Sequence, residues 1–161
     1  YQQVIMEDES RLIGRCALPL TLQDKLRGAP LVMLEASLED RVHHSWENYI
    51  LSNYREQITL CNSDEVAFTA FADSLRLSLG NIRKRLGGER YQELSKVLEA
   101  ALLAHQQGDP EPHKQWIEVL LRDYYDPMYD YQLKSKQRNV VFRGSFSEVA
   151  EFVASAIKRA E

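Results

Sequence analysis

Leu31-Val32-Met33-Leu34-Glu35-Ala36-Ser37-Leu38-Glu39-Asp40 is the stretch that decides the fold class. Four apolar residues in a row, set off by Pro30, read as a strand buried on both faces. Ser37 with Asp40 three positions on reads as a helix N-cap. Leu38, Val42, Trp46, Tyr49 and Ile50 then recur at helical spacing. A buried strand running into an amphipathic helix is the repeating unit of a parallel α/β sheet.

The same rhythm is read upstream. Val4-Ile5-Met6 is a short apolar run ending in Glu7-Asp8-Glu9. It reads as a second buried strand, near 3–7, with acids at its carboxyl end. Thr21-Leu22-Gln23-Asp24 reads as a capping box opening a short helix that stops near Gly28.

Downstream the pattern turns helical. Phe68, Phe71, Leu75, Leu79, Ile82 and Leu86 predict one amphipathic helix, broken by Gly87-Gly88. Tyr91, Leu94, Leu98, Ala101, Leu102 and His105 predict a second, ending at Gly108-Asp109-Pro110. The two are expected to pack as an antiparallel hairpin. A third helix, from about Pro112 to Tyr124, presents Trp116, Ile117, Leu120 and Leu121. Asn139-Val140-Val141-Phe142 is a third β-prone run. Ser145-Phe146-Ser147-Glu148 caps a last helix with Val149, Phe152, Val153, Ala156 and Ile157 on one face.

The expected architecture is therefore α/β and helix-rich: a small parallel sheet interrupted by a helical insertion. Residues 1–63 form the α/β core portion, with strands near 3–7 and 30–35. Residues 64–126 form the helical insertion. Residues 127–161 bring a Tyr-rich segment, the last strand and the carboxyl-terminal helix of the same domain.

Composition bounds the function. The chain has 161 residues, is 44% hydrophobic and carries a net charge of −4. A uniformly basic nucleic-acid binder is excluded, while a local basic patch is not. No apolar run reaches the roughly 18 residues of a membrane span. Cys16 and Cys61 make neither a disulfide scaffold nor a CxxC metal knuckle. With no basic-then-apolar leader, a cytoplasmic protein with reduced thiols is expected. The chain begins Tyr1-Gln2-Gln3 and reads as a piece of a longer polypeptide.

Several clusters carry chemistry. Acids at the carboxyl end of a parallel strand sit where α/β sheets bind ligands, so Glu7, Asp8 and Glu9 are catalytic candidates. Asp8 is the candidate for holding Mg, although a solvated acidic turn explains the spacing at least as well. No phosphate-cradling Gly-x-x-x-x-Gly-Lys-Ser/Thr loop occurs in the chain. Arg41 reads as a surface ion-pair partner before a phosphate ligand.

Residues 76–90 hold five basic side chains, Arg76, Arg83, Lys84, Arg85 and Arg90, against Glu89 alone. Cations at a helix carboxyl end are favoured by the macrodipole. They also suit a phosphate backbone. Lys134, Lys136, Arg138 and Arg143 form a second basic run. Tyr124, Tyr125, Tyr129 and Tyr131 put four tyrosines in eight residues. They suit base stacking, a pocket lid or plain packing. His43, His44, His105 and His113 show no metal-ligand spacing.

Taken in order, Val4-Ile5-Met6-Glu7-Asp8-Glu9-Ser10-Arg11-Leu12-Ile13-Gly14, Arg85-Leu86-Gly87-Gly88, Tyr124-Tyr125-Asp126-Pro127-Met128-Tyr129 and Val141-Phe142-Arg143-Gly144 resemble a known family. They look like the carboxyl-terminal part of bacterial tRNA 2-selenouridine synthase, over nearly the whole chain. That family joins a rhodanese-like domain to a P-loop-containing domain. The resemblance implies a partial P-loop NTPase-like fold and a transferase acting on wobble 2-thiouridine of tRNA. It implies geranylation of the sulfur from geranyl diphosphate, then its replacement by selenium from selenophosphate. It implies tRNA and the missing rhodanese domain as partners.

This chain lacks the rhodanese domain and the P-loop, so alone it is expected to be inactive. Glu7, Asp8 and Glu9 carry over as the acidic strand end. Arg83, Lys84, Arg85, Arg90, Lys134, Lys136, Arg138 and Arg143 are tRNA-binding candidates by their chemistry. Tyr124, Tyr125, Tyr129 and Tyr131 are lid or base-stacking candidates. Two other readings stay open: a fragment of a small P-loop kinase acting on a metabolite, and a non-catalytic tRNA-binding module.

Overall fold

The structure, a computed structural model, describes residues 4–8, 12–13, 16–135 and 139–158. It divides into two compact units: Ser37–Tyr129, and Tyr1–Ala36 with Asp130–Glu161.

The second of these holds the sheet. Strands β1 (Leu12–Ile13) and β2 (Cys16–Ala17) form a small antiparallel pair. Helix α1 (Leu20–Gly28) begins one residue ahead of the expected cap. Pro19 fixes φ at −54° and its carbonyl accepts from the amides of Leu22 and Gln23. Thr21 therefore lies inside the helix and caps nothing.

Strand β3 (Leu31–Leu34) forms over the apolar run that follows Pro30. Strand β4 (Val140–Gly144) pairs with it in parallel, with Leu31 opposite Val140 and Val32 opposite Phe142. Val141 is thus an extra residue, a bulge in the ladder. Helix α9 (Phe146–Lys158) packs back on both strands, and Phe152 stacks on Phe142 at 4.4 Å. The expected cap holds: Glu148 Oε2 accepts from the Ser145 amide and hydroxyl, each at 2.7 Å. A Cβ on Gly144 would meet Glu148 Cβ at 3.0 Å, so glycine lets the strand pass into this turn.

The expected strand near 3–7 is corrected. Residues 4–8 carry no ladder, and Val4 is 74% exposed. An apolar run becomes a strand only when a neighbour pairs with it, and no described strand lies beside this one.

The helical unit begins with α2 (Leu38–Trp46), capped as read: Ser37 Oγ accepts from the Asp40 amide at 3.0 Å. A π-helical turn, Glu47–Ser52, carries the chain into α3 (Asn53–Leu60) without a break. Then come α4 (Asp64–Asn81), capped by Ser63, and the single turn α5 (Arg83–Leu86). Gly87 at φ 85° allows the reversal into α6 (Gly88–Gln106). Helix α7 (His113–Leu120) passes through a second π-turn, Leu121–Tyr125, into α8 (Asp126–Ser135).

Helices α4 and α6 run antiparallel, as expected. Arg83 lies over Tyr91, Arg76 binds Glu99, and Phe71 meets His105, so one numbering rises as the other falls. Val42, Ile50, Phe71, Leu75, Leu94, Leu98, Leu102 and Ile117 make the core. Burying such side chains stabilises by roughly 1.5–3 kcal/mol each. Tyr49, expected inside, is 62% exposed because the π-turn shifts the helical phase. Among the described residues no helix is long and apolar enough to cross a membrane.

Candidate nucleic-acid interface

The helical unit brings two distant sequence clusters together. The basic turn, 83–90, meets the Tyr-rich segment across the α5–α6 corner. Arg85 lies near Tyr124, whose hydroxyl raises the guanidinium pKa. Arg90 Nη1 donates to the Asp123 backbone carbonyl at 3.3 Å. This carbonyl stands four residues before Pro127, which has no amide hydrogen to give it. Arg83 stacks over the Tyr91 ring at 5.1 Å. Arg83, Lys84, Arg85 and Arg90 are all exposed. No ion pair to any of these four is present among the described residues.

The tyrosines form a graded stack. Tyr124 and Tyr125 are half-buried and meet edge to face at 4.9 Å. Tyr129 lies nearly parallel to Tyr125, at 6.5 Å and 24°. Burial pushes the Tyr125 hydroxyl pKa up, with Tyr124, Tyr129 and Tyr49 adding to the shift. Tyr49 from the first π-turn thus acts on Tyr125 through space, although its sequence position gives no sign of it. Tyr129 is 56% exposed.

Asp126 at the start of α8 anchors the segment. Arg41 of α2 grips it with two hydrogen bonds, Nη1–Oδ1 at 2.5 Å and Nη2–Oδ2 at 2.9 Å. The guanidinium holds the Asp126 carboxyl below its usual range. Arg41 is an ion-pair partner, as its sequence reading prefers.

The other candidates are placed elsewhere. Arg143 on β4 reaches Glu35 at 3.5 Å, beside the carboxyl ends of both parallel strands. Lys134 is exposed near the end of α8, and Tyr131 is exposed one turn before it. Both fall in the other unit. Glu7 and Asp8 are exposed on the segment that carries no strand ladder. Glu9, Lys136 and Arg138 lie outside the described residues. Among the described residues no three His, Cys, Asp or Glu side chains converge to hold an ion.

One buried polar cluster escapes the sequence reading. His105 Nδ1 and His113 Nε2 are 3.2 Å apart, and the Trp116 indole N–H donates to His113 Nδ1 at 3.0 Å. His113 is fully buried. Burial pushes its pKa down to about 4, helped by the neighbouring His105. Cys16 and Cys61 are free thiols, exposed and half-buried.

These elements define a class: a helix-rich α/β protein with a small parallel sheet and a separate helical unit. Within that class the chain belongs to the family described as the tRNA 2-selenouridine synthase AAA domain, whose model matches residues 1–160. Among curated proteins it is similar to tRNA 2-selenouridine synthase of Hahella chejuensis, 53% identical over 94% of this chain and 40% of the relative. It is 44% identical to the Pseudomonas syringae pv. syringae protein of the same name, over 94% of this chain and 42% of that one. The Alcanivorax borkumensis protein of that name is 42% identical over the same shares. The chain thus spans about two fifths of the length of the curated relatives it matches. No solved structure matches it.

Proposed function

We propose that this chain is part of a cytoplasmic tRNA-modifying transferase, and that its arginine–tyrosine surface binds the tRNA. The family and the names of its relatives support the first statement. One observation carries the second: Arg85 and Arg90 meet Tyr124 and Asp123, so cations and aromatic rings share one surface. Phosphates bind the cations and unstacked bases suit the rings.

The reaction in this reading is the one the family resemblance implies. Wobble 2-thiouridine sulfur is alkylated by geranyl diphosphate, with diphosphate leaving. Selenium of selenophosphate then attacks the carbon that bears this sulfur, the geranylated sulfur leaves as geranylthiol, and hydrolysis of the selenium–phosphorus bond releases phosphate. Alkylation makes that sulfur a better leaving group. Residues preceding Tyr1, with a P-loop and a rhodanese-like domain, complete the enzyme in this reading.

The test measures tRNA affinity of the full-length protein against salt. The variant carrying Arg83→Ala, Lys84→Ala and Arg85→Ala is expected to bind more weakly. Its log affinity against log salt should flatten by about one unit for each phosphate no longer neutralised. Unchanged affinity and slope would show that this surface does not bind the tRNA.

A further inference from the structure

Resting on that RNA-binding reading, we infer that Tyr129 is a stacking platform for an unpaired base, so the surface recognises a single-stranded loop and not a duplex.

Tyr129 is poised for this by its surroundings. Its ring lies nearly parallel to that of Tyr125, with centroids 6.5 Å apart. Tyr125 is in turn braced edge-on by Tyr124 at 4.9 Å. Arg85 lies near Tyr124, and Arg41 clamps Asp126 one turn before Tyr129 with two hydrogen bonds. The ring has these ordered neighbours, yet 56% of the residue meets solvent. Tyr49, from the first π-turn, is also 62% exposed. Neither the Tyr49 nor the Tyr129 hydroxyl has a hydrogen-bond partner among the described residues.

A soluble protein gains little by fixing bare aromatic rings in water. A ring already held in place binds a flat partner with less ordering cost. The partner's charge is set by the neighbours. Arg83, Lys84, Arg85 and Arg90 make this corner basic on a chain of net charge −4. A flat, anionic partner is a nucleotide in a polymer. In a paired A-form helix the bases are stacked on one another and closed to a protein ring. Only an unpaired, splayed base can lie on Tyr129. The phosphates on either side then fall to the cations.

The test uses two RNA probes with the full-length protein. One is a short hairpin with a seven-nucleotide loop carrying 2-aminopurine, the other a blunt duplex of the same length. The wild type is expected to bind the hairpin more tightly and to quench the loop fluorophore. Base–aromatic stacking is worth about 1–3 kcal/mol. Tyr129→Ala should therefore weaken hairpin binding by about 5- to 150-fold and abolish the quenching. It should leave duplex affinity and the salt slope unchanged. Tyr129→Phe keeps the π-face and should bind like the wild type, which separates stacking from a lost hydroxyl. Equal loss on hairpin and duplex, or no loss on either, would overturn the inference. If Tyr129→Ala is silent while the triple basic variant flattens the salt slope, the stacking inference alone falls. If the wild type binds neither probe nor tRNA at low salt, the RNA-binding reading falls with it.

Discussion

Protonating His113 on Nδ1 would strip the Trp116 indole of its acceptor. An indole N–H only donates, so the neutral His113 accepts at Nδ1 and carries its proton on Nε2. That proton points at His105 Nδ1, 3.2 Å away. Tyr54, Phe68 and Phe71 surround His105 with rings, and Asp109 is the nearby charge, opposing the burial that lowers the His105 pKa. The sign of the pH effect follows. The unfolded chain binds a proton at His113 below about pH 6.5, while the folded chain resists until about 4. Stability is full above 6.5 and falls as pH drops toward 4. The loss is about 3 kcal/mol. Urea unfolding followed by circular dichroism at pH 7.5, 6, 5 and 4 checks it. His113→Gln can still accept from Trp116 but does not titrate, and should flatten this part of the profile.

At the scale of elements, Pro127 and Arg90 form a testable pair. Helix α8 follows its π-turn with a proline, and Arg90 from α6 donates to the Asp123 carbonyl that Pro127 cannot serve. Pro127→Ala supplies an amide for that carbonyl. Arg90→Ala should then cost about 1 kcal/mol in the parent and little in the Pro127→Ala background. Additive costs in a double-mutant cycle would assign Arg90 elsewhere.

The sequence is legible where structure is local. Leu31–Leu34, the Ser37 cap, the phases of α4 and α6 and the Gly87 reversal all depend on residues within a few positions of one another. Val4–Met6 misleads because a strand is defined by its neighbour, which no local pattern contains. Thr21 misleads because Pro19 starts the helix first. The two halves of the candidate interface are each visible as unusual composition. Their meeting is not, because some 40 residues and two helix reversals separate Arg85 from Tyr124. Tyr49 is hidden by an assumed 3.6-residue period that the π-turn breaks.

The whole molecule is uneven. Among the described residues every buried side chain lies between Ser37 and Tyr129. The sheet unit has a parallel pair of strands covered by α9, and its described apolar residues are half-buried or exposed. Parallel sheets normally require cover on both faces. Native-state hydrogen exchange should show this contrast. Amides around Ile50, Phe71 and Leu98 are expected to exchange slowest, near the global unfolding rate. Those of β3, β4 and α9 should exchange at least tenfold faster. Equal protection across both units would contradict the burial pattern.

The two π-turns have a consequence for descent. Each holds one residue more than a straight α-helix would between the same end points. Losing one residue within 47–52 or 121–125 would turn the π-turn into an ordinary α-helical turn while the helix beyond keeps its face to the core. Tyr49 and the Tyr124–Tyr125 pair ride in those two turns. These tyrosines therefore sit where chain length can change with least disturbance to the packed core.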